Sequence, residues 1–104
     1  MSERTHAELL ISKAYSELSA ISENSSQASV SLASIGNYEV SMFIMRRADL
    51  NGVLQFWLEL FDHGTSRSVD SFLCHRIKDA APVFGEFMLH AYLNGSPSGG
   101  SNEQ

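Results

Sequence analysis

Residues 5–37 read THAELLISKAYSELSAISENSSQASVSLASIGN, and the architecture turns on whether they form one rod. Thr5-His6-Ala7-Glu8 has the form of a capping box. In that motif the Thr hydroxyl accepts from the Glu amide while the carboxylate accepts from the Thr amide, which starts a helix at about His6. From there Ala7, Ile11, Ala14, Leu18, Ile21, Ser25, Ala28, Leu32 and Ile35 recur in four-three alternation, the seam of a heptad repeat broken once by a polar residue. Gly36-Asn37 then supplies a stop. Read so, residues 6–35 make one helix about 45 Å long at 1.5 Å per residue.

Such a rod outruns what remains to cover it. The ordered remainder, residues 38–93, has a compact-domain radius of gyration of only about 10 Å. An overhanging seam leaves Ile and Leu in water, each worth roughly 1.5–3 kcal/mol when buried, so a partner is expected to shelter it. The candidate interface residues are Leu10, Ile11, Leu18, Ile21, Leu32 and Ile35. The alternative is a break at Glu23-Asn24-Ser25-Ser26, a polar run of weak helix formers that gives two shorter helices packed on their own domain. The off-seam serines Ser12, Ser16, Ser19, Ser22, Ser26, Ser29 and Ser34 make either a close-approach face for another backbone or a plain solvated one.

Downstream, Tyr38-Glu39-Val40-Ser41-Met42-Phe43-Ile44-Met45 alternates and is rich in β-branched and aromatic residues, which predicts a strand. A single strand leaves its ladder groups unpaired, so Tyr38, Val40, Met42 and Ile44 are expected to pair in trans in a homodimer. Arg46-Arg47 close it as strand-end charges. Asp49 is placed to cap a helix carrying Leu50, Val53, Leu54, Trp57, Leu60 and Phe61, with Trp57 in the core and the end at His63-Gly64. Ser68 is placed to cap a further helical segment running from Val69 to Tyr92, with a kink or a fresh start capped by Asp79 at Pro82. The fold class expected is mainly α: a long first helix, one short strand, then two or three helices, in a single domain over 1–94 with a flexible tail over 95–104.

Composition narrows function. The 104 residues carry 7 Lys plus Arg against 12 Asp plus Glu, a net charge of −5 that repels phosphate backbones and anionic lipid. One cysteine, Cys74, permits neither an internal disulfide nor a zinc finger, and suits a reducing cytosol. The N-terminus has no leader pattern and no run of eighteen apolar residues occurs, so a cytoplasmic protein is expected. Cys74 and His75 are adjacent, a spacing that on a helix separates nucleophile from base. Glu86 and His90 share a helix face but lack a third ligand, and His63 suits a helix C-terminus. Gly99-Gly100 lie in the tail, outside any strand-to-helix phosphate loop. No catalytic residue, metal or cofactor is expected, and the chain reads as a non-enzyme.

Two resemblances give expectations for function. Gly64-Thr65-Ser66-Arg67-Ser68-Val69-Asp70-Ser71-Phe72-Leu73-Cys74-His75-Arg76-Ile77 resembles the second half of ribbon-helix-helix repressors, which implies a dimer that inserts a two-stranded ribbon into the DNA major groove. The strand here departs from that family, since neither face offers the polar and basic side chains that read bases. Glu23-Asn24-Ser25-Ser26-Gln27-Ala28, Gly36-Asn37-Tyr38-Glu39-Val40 and Trp57-Leu58-Glu59-Leu60-Phe61-Asp62, at this total length, resemble the small QslA-like antiactivators of quorum sensing. That resemblance implies a dimeric, non-catalytic cytosolic protein that binds a LuxR-type transcriptional regulator, blocks its dimerisation and keeps it from promoters. A small secretion chaperone is a third expectation of similar size and acidity.

Overall fold

The computed structural model describes residues 3–21, 27–47, 51 and 53–95. Its elements run α1 (Glu3–Ile21), β1 (Gln27–Ile35), β2 (Tyr38–Arg47), β3 (Val53–Asp62), β4 (Arg67–Cys74) and α2 (Ile77–Gly95). The four strands form one antiparallel sheet in the order β1-β2-β3-β4. The fold is therefore α+β, two helices laid on one face of a meander, and the mainly helical expectation is overturned.

The first rod, 19 residues in α1, ends fourteen positions short of the expected Ile35. The seam holds through Ala7, Ile11, Ala14 and Leu18, with the last three buried, and α1 ends at Ile21. The helix start expected at His6 is corrected, since α1 already begins at Glu3 and runs through Thr5. The run at which a break was weighed, and the Asp49 and tail readings, fall outside the described residues. Beyond it the chain is strand. Ala28 and Val30 sit on the helix side of β1 opposite Ile44 and Met42, a period of two. The register then shifts between Ser31 and Ala33, which leaves Leu32 as an extra residue and brings Ala33 and Ile35 opposite Val40 and Tyr38. A bulged strand thus spaces Ala28, Leu32 and Ile35 by four and three, the spacing of a helix seam.

Gly36-Asn37 is a hairpin turn between paired Ile35 and Tyr38, with Gly36 at φ 59°. β2 is the strand expected, but its ladder is satisfied within the chain by β1 on one side and β3 on the other. Pairing in trans through Tyr38, Val40, Met42 and Ile44 is excluded, because the last three are buried beneath the helices and both strand edges are occupied.

Residues expected to form the Trp57 helix are β3. Phe56, Leu58 and Leu60 point into the core at a period of two, while Trp57 stacks on Phe43 across the opposite face, with ring centroids 5.4 Å apart and planes 6° from parallel. Apolar residues on both faces had masked the alternation. The segment after His63-Gly64 is β4, so Ser68 lies within a strand and caps no helix. Helix α2 begins at Ile77 and includes Pro82 in its second turn. It seals the sheet with Ala80, Ala81, Phe87 and Ala91, the small residues allowing close approach.

Candidate functional site

The helices bury one stripe each and leave a second stripe open. On α1 the buried Ile11, Ala14 and Leu18 alternate with the exposed Leu10, and on α2 the buried Phe87 and Ala91 alternate with the exposed Leu89 and Tyr92. Where the open stripes meet lies a cleft of about 700 Å³. Ala7 and Leu10 form its α1 wall, Ile35 closes it from β1, and Phe84, Met88, Leu89 and Tyr92 form its α2 wall. Leu89 is 58% and Tyr92 67% exposed, values that bulky side chains reach when nothing among the described residues covers them. A Cβ built at Gly85, which also lines the cleft, meets no atom within 4 Å, so this glycine widens the opening.

The cleft can bind apolar groups but has little chemistry to offer. Its titratable side chains are His6 and Tyr92 alone. Elsewhere, the Cys74 thiol is buried, and burial first, then the charge of Asp79, pushes its pKa up to about 11, which keeps it a protonated thiol at neutral pH. No group of three His, Cys, Asp or Glu able to hold a metal ion is found among the described residues. Glu86 and His90 are both exposed, and the His90 ring packs edge-on against Tyr38 at 5.6 Å. His63 is in the β3–β4 turn instead of at a helix end, and its Nε2 lies 2.7 Å from Glu39 Oε1. That hydrogen bond, with a smaller one from Ser31, holds the Glu39 carboxyl below its ordinary range.

Of the six interface candidates, the structure brings Leu10 and Ile35 together in the cleft. Ile11 and Leu18 are fully buried in the core, Leu32 packs partly against it, and Ile21 is exposed at the end of α1. The sequence reading placed Phe84, Met88 and Tyr92 in one apolar stripe running from Val69 and left Leu89 and Leu93 out of it, so the α2 wall was missed. The signal was present: Leu89, Tyr92 and Leu93 recur at three and four in a phase distinct from Ala80, Phe87 and Ala91.

No helix among the described residues is long and apolar enough to cross a membrane. Comparison with protein families, with curated proteins and with solved structures finds no match.

Proposed function

We propose that this protein is a non-catalytic binding protein whose α1/α2 cleft receives an apolar helix of a protein partner. The observation that carries the reading is the cleft itself: large aliphatic and aromatic walls on two helices, open to solvent, with almost no ionisable lining. An amphipathic helix fits such a groove through residues spaced by three and four, and a Tyr beside Leu and Met is a usual anchor set. The partner class comes from the antiactivator resemblance: a LuxR-type transcriptional regulator whose helix-packed dimer would be blocked when one of its helices is taken. The acidic charge of the chain disfavours direct DNA binding, and residues 67–74, which the repressor resemblance would make helical, are a strand.

Gly85→Phe tests the cleft from an exposed position that lines it, where a Cβ meets no atom within 4 Å. The expected result is an intact fold by circular dichroism, with regulator binding in a pull-down weakened at least about tenfold, equivalent to about 1.4 kcal/mol. Regulator binding that is undiminished, or absent already in the unmodified chain, refutes the assignment.

A further inference from the structure

The sheet ends in two edges, and they differ. Along β1 the exposed positions are Gln27, Ser29, Ser31 and Ser34, the strand is bulged at Leu32, and both helices contact it. Bulges, polar side chains and cover are the usual protections of an edge. β4 has little of this. Among the described residues it pairs with β3 alone, and every residue from Arg67 to Leu73 is exposed, Phe72 at 50%. Its bulge lies near Val69, which leaves 70–74 regular. Beside that regular part runs a groove of about 520 Å³ between Phe72 and Cys74 of the strand and Lys78, Pro82 and Val83 of α2.

We propose that β4 is a homodimer surface, on which β4 of a second copy pairs antiparallel about a two-fold axis through Phe72. An open strand edge presents a row of backbone N–H and C=O groups, and the chemistry that satisfies them is another strand. A two-fold axis normal to the sheet keeps each face on its own side, so helix-side residues meet helix-side residues. Asp70, Phe72 and Cys74 are those residues, because they oppose the buried Leu60, Leu58 and Phe56.

Among the registers centred on 70, 71 and 72, side-chain pairing favours the last. Centred on Asp70, two carboxylates face each other; centred on Ser71, each Asp70 faces a Phe72 ring. Centred on Phe72, the two rings meet, and Asp70 of the partner subunit stands opposite Cys74, at the groove where Lys78 sits. Lys78 has no hydrogen bond or ion pair among the described residues, whereas the nearby Asp79 is already engaged by Arg76 at 3.1 Å. The same segment thus supplies both the acid and the base of the contact, and symmetry repeats it. This is the charge complementarity that favours a second copy over an unrelated strand.

Sedimentation analysis of the full chain from low to high micromolar concentration tests the proposal. The expected result is a monomer–dimer equilibrium that Phe72→Asp abolishes, with circular dichroism unchanged because the ring is half exposed. Asp70→Lys and Lys78→Glu singly weaken the dimer about tenfold, the contact being counted twice, and the double variant restores it. An unmodified chain that stays monomeric throughout overturns the proposal. So does a dimer indifferent to Phe72→Asp, a double variant no tighter than the singles, or a monomer whose β4 instead captures an extended peptide of another protein.

Discussion

Gly36 shows how closely a single residue is held. Its φ of 59° lies in the region that L side chains rarely adopt, and a Cβ there would run into the backbone carbonyl of Gly95 at the end of α2. The β1–β2 turn and the last helix are thereby in backbone contact. Gly36→Ala is expected to lower stability by about 1–2 kcal/mol from the backbone alone, with the overlap adding to this. Gly85→Ala, in a helix with open space around it, is expected to raise stability by about 0.5–1 kcal/mol. Urea unfolding midpoints measured side by side check both signs. Glu39 offers a pH test. Its folded pKa is lowered chiefly by the His63 hydrogen bond, so its contribution is present above the ordinary carboxylate range and is lost as pH falls through the folded value. The wild type should exceed Glu39→Gln by less than about 1 kcal/mol at neutral pH, given the exposed His63 partner, and this margin should vanish in acid.

At the scale of elements, the four-three seam continued correctly only as far as Leu18. Up to there the spacing belongs to a helix whose face is buried; from Ala28 onward it belongs to a bulged strand. Spacing alone does not separate the two, because a strand of period two with one inserted residue also places side chains four and three apart. The expectation that Leu18 and Ile21 act together on an outside partner gives way to opposite roles. Leu18→Ala should destabilise by about 2–5 kcal/mol as a core truncation, and Ile21→Ala, at an exposed helix end, by less than about 0.5 kcal/mol. Thermal unfolding of the two single variants distinguishes a packed helix from an overhanging rod, for which the two losses would be alike. The second strand was legible because its alternation was clean at the start. β3 was not, since Trp57 and Phe61 on its outer face completed a plausible helical stripe with Leu54 and Leu60.

At the scale of the molecule, a four-stranded sheet with both helices on one side leaves apolar regions open among the described residues: the cleft between the helices, the β4 edge, and the Phe43–Trp57 face. The proposed partner site uses α1 with α2 and the proposed dimer site β4 with the start of α2, so that Pro82 lines both, while Gly85 lines only the first and Phe72 only the second. They should therefore behave independently. Phe72→Asp is expected to produce monomers that still bind the regulator, and Gly85→Phe to produce dimers that do not. Light scattering paired with pull-down on the two variants checks this; loss of both properties in either variant would merge the two surfaces into one.

Composition and local pattern sufficed for the first half of the seam, the strand at Tyr38, the fact that an element ends at Gly36-Asn37 and at His63-Gly64, and most of the last helix. Each of these is written in neighbouring residues: a run of spaced apolar side chains, a clean alternation, a glycine. Strand pairing was decided elsewhere. Whether residues 27–35, 53–62 and 67–74 extend or coil depends on ladder partners in a neighbouring strand, most of them far along the chain, which a helix does not need and a strand cannot do without. The sheet formed because β2 could satisfy its ladder on both sides within the chain. That same pairing consumed the edge expected to dimerise, drew Ile11 and Leu18 inside, and left the surface near Leu10, Ile35 and Tyr92 to face outward.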